Sequence, residues 1–422
     1  MIAGQARGAT RGLRARRWSL AGAAAACLCA LVGAAPATPA PVPTLTIWAD
    51  QKSVSAVTKV AAEWSASSGV AVTVVPKSFG SIQDDLAAAA GPEAPDVTVA
   101  ANAWTAALAM SGLAVALSPP KPVSAQFPTA TLDAFSYGPG TKRLYGIPVS
   151  VENIALVVNT KLVKVPKTWS QLEKSALAFK KKHKGNLALA VQQGASGDGY
   201  HMYPFFAGLG GYVFGTNAAG TLDPSDLGVA NKAFLRNSPL VDRWNRLGLI
   251  SARVDAGRAQ SAFLGGRAAF WVTGPWSIAN LEKHPELRVR IVQVPPIAKA
   301  SVPLLGVQGY MVTKYAAVHG LDAAAKDLVT NALVGTAAQE GVAAVSGRYP
   351  ASEQAANRVK NRYLAQFGRA GEGGVPWPNI PQMENVWPDL SAAWAKSTRG
   401  PSAVKAAAAF RAAARSIAAK IG

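Results

Sequence analysis

Apolar and polar positions change period repeatedly from residue 44 onward, which predicts strands that alternate with helices. Runs rich in β-branched residues predict strands at 44–49, 70–76 and 95–100. Helical spacing predicts helices from Val54 to a stop at Gly69, from a cap-like Ser81, and from Asn102 to Met110. Strands that alternate with helices indicate an α/β fold with mostly parallel sheets.

The same alternation returns in a second unit after residue 150. Strands are predicted at 154–159, 187–191, 267–276 and 306–313, and helices at 168–184, 222–248 and 404–421. Thr168 and Gln171 have the spacing of a capping box. Lys52, Asn102, Trp104 and Trp276 each follow a predicted strand. In α/β sheets this is the end at which ligands bind, so the four residues are candidates for a ligand cleft.

The first 37 residues are typical of a secretory signal peptide. Five arginines and no acid precede an alanine-rich apolar run, and a small-residue cleavage site follows at 35–37. Both cysteines, Cys27 and Cys29, lie in this leader, so cleavage after Ala37 leaves a mature chain without cysteine. We therefore expect an exported protein. A lipoprotein site at Cys27 and twin-arginine export through Arg16 and Arg17 are the open alternatives.

The chain is basic, with a formal charge of +20. Without the five leader arginines, 38 basic residues face 23 acidic ones, a charge of +15. Such a charge is compatible with a nucleic-acid partner or with an anionic envelope. The charge is scattered, however, and the dense run at 180–184 ends a predicted helix, where cations suit the helix dipole. We therefore expect no nucleic-acid partner.

The stretch GGVPWPNIPQMENVWPDLSAAW at 373–394 holds three tryptophans and four prolines. Prolines stiffen the backbone, and a fixed tryptophan loses little rotamer entropy, so the stretch either fills a core or presents rings to a ligand. Five other tryptophans fit core positions of predicted helices and strands. They are Trp48, Trp64, Trp169, Trp244 and Trp271.

Several motifs, taken in order, resemble those of bacterial periplasmic sugar-binding proteins. They are TIWAD, APDVTVAAN, SGLAVALS, YGIPVSVENIALVVNTKLV, PKTWSQL, AFLGGRAAFWVTGPW and WPNIPQMENVW. The PNIPQM run is similar to the maltose- and maltodextrin-binding members of the family. The resemblance covers about residues 44–420, which is nearly all of the expected mature chain.

The resemblance implies a two-lobed receptor without catalysis or cofactor. One lobe would comprise 44–150 with 305–350, and the other 152–303 with 352–422. Hinges near 150, 305 and 350 would close the lobes on an oligosaccharide, and the closed monomer would dock on the permease subunits of an ABC importer.

Residues at positions that match the family's motifs are implied to bind the sugar. Lys52 and Glu152 would reach hydroxyls, Asp198 would stand in place of a family glutamate, and four rings would stack on the sugar. The rings are those of Tyr200, Trp276, Trp377 and Trp387. Rings suit the C–H face of a pyranose, and carboxylates suit its hydroxyls.

The sequence also departs from the family pattern. Ala100 and Ala103 stand where the maltose-binding members have Trp and Asp, and Trp104 and Ser391 replace arginines. These departures leave the sugar open among maltose, longer maltodextrins, trehalose or another oligosaccharide.

The main alternative is a secreted glycoside hydrolase that uses Glu152 and Asp198 as its pair of carboxyl groups. The four histidines are too dispersed for a metal motif, and neither a G-x-S-x-G elbow nor a P-loop occurs. The sequence therefore favours a receptor over an enzyme.

Overall fold

The structure, a computed structural model, describes residues 44–138, 141–218 and 220–422. The predicted leader, with Cys27 and Cys29, lies outside the described residues. None of the described helices is long and apolar enough to cross a membrane.

Fifteen strands are found in the described residues. They are β1 Thr44–Asp50, β2 Ala71–Lys77, β3 Val97–Ala101, β4 Ser136–Tyr137, β5 Arg143–Leu144, β6 Ile147–Asn153, β7 Ala155–Asn159, β8 Ala190–Val191, β9 Phe214–Thr216, β10 Leu222–Leu227, β11 Phe270–Thr273, β12 Val289–Val292, β13 Leu304–Val312, β14 Tyr349–Pro350 and β15 Val375–Pro376.

The same residues form eighteen α-helices. They are α1 Val54–Ser68, α2 Ile82–Ala88, α3 Thr105–Met110, α4 Lys121–Ser124, α5 Thr129–Asp133, α6 Trp169–Lys182, α7 Gly199–Gly208, α8 Lys232–Asn237, α9 Pro239–Leu247, α10 Ala256–Leu264, α11 Ile278–Glu282, α12 Lys314–Val318, α13 Asp322–Asp327, α14 Thr336–Ser346, α15 Glu353–Ala356, α16 Arg362–Ala370, α17 Trp387–Ser397 and α18 Ala406–Ile421.

The larger sheet has the strand order β14-β6-β13-β3-β1-β2, with β15 also paired to β13. Apolar side chains of β1 and β3 pack against helices α1, α12, α13 and α14 in one core. A smaller cluster, which includes Trp48 and Phe135, covers the opposite face. We call this part of the molecule the large-sheet lobe.

The smaller sheet has the order β12-β7-β11-β8, and we call the part built on it the small-sheet lobe. Strand alternation sends Leu156 and Val158 of β7 into a core with α6, α7, α17 and α18. Ala155 and Val157 face the other way, into a core with α10, α11 and α16. Helices thus cover both faces, as the apolar sequence of β7 requires.

The sheets are mixed, and the expectation of mostly parallel sheets is wrong. β1 is parallel to β2 and β3, and β8 to β11, but β13 is antiparallel to β3 and β6, and β7 is antiparallel to β11 and β12. The reason is the path of the chain. β6 leaves the large sheet at the edge where β3 ends, and β13 re-enters at that edge, so β13 runs against both neighbours.

Three local predictions are corrected by the structure. Residues 222–248 begin with β10, paired to β9, and Pro239 starts α9 as a separate helix after α8. The strand predicted at 187–191 is reduced to β8. The side chain of Ser81 does not cap α2, because its backbone is helical rather than extended and turns the hydroxyl toward the carbonyl of Ser78, to which it donates at 3.2 Å.

Half of the predicted capping box is present. The Thr168 hydroxyl oxygen accepts from the backbone N–H of Gln171 at 3.2 Å, but Gln171 Oε1 accepts from the N–H of Lys167 rather than from that of Thr168. The five tryptophans assigned to cores are at most 8% exposed, so that prediction is confirmed.

Candidate functional site

The carboxyl ends of β1, β3 and β6 meet at the edge of the large sheet where the chain crosses to the small sheet. Lys52 and Asn102 lie beside these ends, as the sequence predicted, and Glu152 lies near the end of β6. This edge is the position at which α/β sheets bind ligands. The topology therefore gathers polar candidates from three separate segments.

Four predicted rings form a continuous run along the small-sheet lobe. Tyr200 lies between Trp276 and Trp377, with ring centroids 6.3 Å and 5.6 Å away, and Trp377 lies 4.3 Å from Trp387. We call these four residues the aromatic run. Trp276 is at one end and is 46% exposed, which leaves much of its ring surface open.

Small residues make room for the rings at both ends of the aromatic run. The Trp276 ring folds back over Gly274, where any side chain would collide with it. The Trp387 ring packs on Gly199, at the first turn of α7, where an added Cβ would lie 3.1 Å from ring carbons. Ser391 supports the second contact, because its hydroxyl accepts from the Gly199 N–H at 3.0 Å.

Two polar atoms of the aromatic run are buried and have no partner among the described residues. They are the hydroxyl of Tyr200 and the indole Nε1 of Trp387. Burial raises the pKa of Tyr200 well above its ordinary value, and the nearby charges of Glu152 and Asp198 raise it further. The Tyr200 hydroxyl therefore stays protonated and can donate to a ligand. Unpaired buried donors are costly unless a ligand or water satisfies them.

Glu152 lies on β6 opposite Gly306 of β13, whose missing side chain leaves room for the carboxylate. Its Oε2 accepts from Nε of Arg348 at 3.2 Å, and no described residue donates to Oε1. Lys52 is exposed, and its ammonium group has no partner among the described residues. Both side chains thus retain capacity for hydrogen bonds to a ligand.

Asp198 is occupied by protein partners. It caps α7 through the backbone N–H of His201 at 2.9 Å, its Oδ2 accepts from Gln192 at 2.7 Å, and His201 Nδ1 lies 2.8 Å from the same Oδ2. Burial raises the pKa of Asp198, but the bonds and charge from His201, together with Gln192, outweigh burial and lower it. A lowered pKa suits a permanent anion and does not suit the proton donor of a glycoside hydrolase.

Asn102 and Trp104 add no ring contact to the aromatic run and have other protein partners. Asn102 is 1% exposed, its amide donates to the carbonyl of Trp377 at 2.7 Å, and its oxygen accepts from the Val307 N–H at 3.1 Å. Asn102 therefore holds Trp377 in place through the backbone. Trp104 instead stacks on Phe79, with ring centroids 5.0 Å apart.

Sequence reasoning missed Asp50, Phe79, His201 and Arg348. Arg348 joins Asp50 to Glu152, while His201 is 4% exposed and lies 5.7 Å from the Trp276 ring. Asp50 is the last residue of β1 and directly follows the strand predicted at 44–49, so it could have been found by the same strand-end signal as Lys52. No pattern along the chain marks Phe79 or Arg348, because only the folded chain brings them together.

A cavity of about 670 Å³ lies beside Trp377, between the β4–β5 hairpin and the β9–β10 hairpin. Its wall includes Tyr137, Asn379 and Ile380. Of the nine predicted site residues, it contains only Trp377. The cavity therefore meets the aromatic run at Trp377 and does not include its other three rings. Across the described residues, no group of three or more His, Cys, Asp or Glu side chains could hold a metal ion.

Comparison with known proteins places this architecture in a family. The family model for bacterial extracellular solute-binding proteins matches residues 59–365. The chain is 30% identical over 316 residues to the maltodextrin-binding protein MdxE of Bacillus subtilis, covering 70% of each chain. It is 25% identical over 360 residues to the galactooligosaccharide-binding protein of the same organism, covering 81% of this chain and 82% of the other.

Two solved structures share the fold. A cyclo/maltodextrin-binding protein complexed with maltotetraose superposes with a TM-score of 0.78 at 24% identity, over 91% of this chain and 98% of the other. An extracellular solute-binding protein from Staphylococcus aureus in complex with maltose gives 0.76 at 24% identity, over 90% and 98%. The predicted two-lobed α/β fold is thus confirmed. The chain belongs to the bacterial extracellular solute-binding proteins, which are receptors rather than enzymes.

Proposed function

We propose that this protein binds a neutral α-glucosidic oligosaccharide of the maltodextrin type between its lobes and delivers it intact to an ABC importer. The observation that carries the proposal is the aromatic run of Trp276, Tyr200, Trp377 and Trp387 beside the Glu152 carboxylate. Relatives named as maltodextrin- and maltooligosaccharide-binding proteins support the same ligand class.

The chemistry of the aromatic run matches an extended sugar chain. Successive glucose units present C–H faces, which stack on indole and phenol rings, and hydroxyl belts, which need donors and acceptors. The unpartnered hydroxyl of Tyr200 and Nε1 of Trp387 are donors, and Glu152 Oε1 is an acceptor. A run of four rings favours an oligosaccharide over a single hexose.

Calorimetric titration with maltose, maltotriose, maltotetraose, trehalose and a galactooligosaccharide tests the proposal. We expect saturable binding that is tightest for a maltodextrin, and chromatography of the incubated sugar should show no shorter product. Release of glucose or maltose would favour the glycoside hydrolase. Preference for the galactooligosaccharide would show that the ligand is not a maltodextrin, although the protein would still be a sugar receptor.

We propose that the lobes comprise 44–150 with 305–350 and 152–303 with 352–422, and that they close on the ligand about hinges near 150, 305 and 350. The supporting observation is that β6, β13 and β14, which contain or adjoin these positions, pair side by side in the large sheet. Small-angle scattering should show a smaller radius of gyration with saturating sugar. An unchanged radius would contradict closure.

We further propose that the mature chain begins near Thr38 and docks as a monomer on permease transmembrane subunits. Two pneumococcal relatives are named as lipoproteins, which keeps acylation at Cys27 as the alternative. Intact mass of the exported protein separates the two. A mass that begins at Cys27 with added acyl chains would place the receptor on a membrane anchor.

A further inference from the structure

The Arg348 guanidinium, just before β14, lies between two carboxylates at the edge where the chain crosses between sheets. Its Nη1 donates to Asp50 Oδ2 at 3.0 Å, and its Nε donates to Glu152 Oε2 at 3.2 Å. The side chain of Arg348 is 13% exposed and that of Asp50 is 5% exposed. This partly buried ion triad joins β1, β6 and the segment before β14.

The remaining sides of the guanidinium are also in contact with protein. It lies 5.7 Å from the centroid of the Phe79 ring, and the other partner of Phe79 is the stacked ring of Trp104. Nη2 lies 3.0 Å from the Gln308 side-chain amide, in the orientation that turns the amide oxygen toward it. Arg348 is thus fixed in position and direction by residues from four other segments.

We infer that Arg348 is a positioning residue for sugar recognition, which acts by fixing the Glu152 carboxylate. This inference rests on the proposed function. The guanidinium occupies Oε2, so the oxygen without a protein donor, Oε1, is left for a ligand hydroxyl. Asp50 cannot take that role as freely, because its other oxygen already accepts from the Lys52 N–H at 3.2 Å.

The net charge of the triad bears on whether the site binds neutral or anionic sugars. Two carboxylates and one guanidinium leave one net negative charge, although the chain as a whole is strongly basic. The cation of Arg348 is shared between protein carboxylates and is not available to pair with an anionic ligand. The triad therefore favours neutral sugars, whose hydroxyls donate, over uronates and sugar phosphates, and it leaves the exposed ammonium of Lys52 as the cation at this edge that is open to an anionic ligand.

Lysine should not replace Arg348. A guanidinium is planar, bonds two carboxylates through separate N–H groups and stacks on a ring, whereas an ammonium is a compact point charge. Arg348→Lys therefore tests whether geometry matters beyond charge. Arg358 provides a matched control, because it is 65% exposed and contacts only Glu340, at 3.4 Å, among the described carboxylates.

The experiment is calorimetric titration of the full mature chain with the neutral maltodextrin that wild type binds best. Arg348→Met and Arg348→Lys should each weaken binding by about 10- to 100-fold, the range seen when a metal ligand loses its supporting partner. Arg358→Met should stay within about twofold of wild type. Wild type should bind the neutral sugar in preference to a glucuronate-containing analogue.

A double-mutant cycle separates positioning from a merely structural role. If Arg348 acts through Glu152, Glu152→Gln with Arg348→Met should lose less affinity than the product of the two single losses. Should Arg348→Met fold poorly because Asp50 loses its partner, Asp50→Asn with Arg348→Met removes the opposed charge and gives the same readout.

The outcomes separate the two proposals. Three results would overturn the inference but not the proposed receptor function. They are wild-type affinity in both Arg348 variants, wild-type affinity in Arg348→Lys alone, and independent losses in the double-mutant cycle. A wild-type protein that binds none of the neutral sugars would overturn the proposed function and the inference with it.

Discussion

The aromatic run and the ion triad of the candidate site use their side chains in opposite ways. The aromatic run on the small-sheet lobe leaves donors unpaired and half of the Trp276 surface open. The ion triad of Asp50, Glu152 and Arg348 is instead bonded within itself, and Asp50 also accepts from the Lys52 N–H. The aromatic run thus leaves ring surface open for contact, whereas the ion triad holds the Glu152 carboxylate in one orientation. The aromatic run should therefore supply contact area, and the ion triad should set the orientation of the bound sugar.

The largest effect on affinity is expected at Trp387. Trp387→Ala should weaken maltodextrin binding by roughly 30- to 1000-fold, the consequence of losing an aromatic anchor worth about 2–4 kcal/mol. The ring is only partly buried, so the melting temperature of the sugar-free protein should change little. Calorimetric titration and thermal unfolding of the same variant measure both quantities.

Trp394 is the matched control, because it lies on the same helix, α17, and is fully buried. Trp394→Ala should cost about 3–5 kcal/mol of unfolding free energy through the cavity it leaves. Its sugar affinity per folded molecule should remain near that of wild type. An exchange of these two phenotypes would show that the aromatic run is core and not a binding surface.

The next largest effect is expected at Asn102, which joins the Trp377 backbone to Val307 of β13. Asn102→Ala leaves the Trp377 carbonyl and the Val307 N–H without partners, at about 1–3 kcal/mol of unfolding free energy for each group. Denaturant unfolding should show this loss without ligand. Asn331→Ala, which removes an exposed amide bonded to Asp327, should change stability by less than about 0.5 kcal/mol.

A smaller loss is expected at the open end of the aromatic run. Trp276→Ala should weaken binding by roughly 5- to 30-fold, since a half-exposed ring excludes less water than Trp387. The loss should be greater for maltotetraose than for maltose if Trp276 meets an outer glucose unit. Equal losses for both sugars would place the first glucose unit on Trp276 instead.

The smallest effect is a dependence of stability on pH that traces to Asp198. Its pKa is lowered in the folded chain, so its contribution is fully present above the ordinary value of 3.8 and is lost as the pH falls through the lowered pKa. Melting curves between about pH 5 and pH 3 should fall more steeply for wild type than for Asp198→Asn. Parallel curves would contradict the assigned cap and ion pair.

Sequence reasoning predicted the members of the aromatic run because they stand in local motifs that resemble those of the family. GPW, GDGY and WPNIPQM contain Trp276, Tyr200 and Trp377, so these rings could be proposed as ligand contacts without coordinates. The fold class could be predicted as well, because the periods of strands and helices are also local features of the sequence. The strand directions did not follow, because they depend on where the chain crosses between sheets.

The ion triad and the neighbouring Phe79 could not be predicted from local motifs. Asp50, Phe79 and Arg348 are about 30 and 270 residues apart along the chain, and no period links them. Asn102 is predicted to contact the ligand because it follows β3. An asparagine at a strand end can bind a ligand or bond to neighbouring backbone, and only its burial and its partners in the folded chain distinguish these two roles. The long helix expected at 222–248 failed because turn residues before Asn231 and at Pro239 divide that segment.

Trp377 connects the large sheet to the aromatic run. Its N–H donates to the Leu305 carbonyl at 3.0 Å beside β13 of the large sheet, while its ring lies 5.6 Å from Tyr200 on the small-sheet lobe. A rotation of one sheet against the other must change either this ring contact or the hydrogen bond from Trp377 to Leu305. Indole emission depends on such surroundings, so the protein carries its own optical reporter of closure and needs no attached dye.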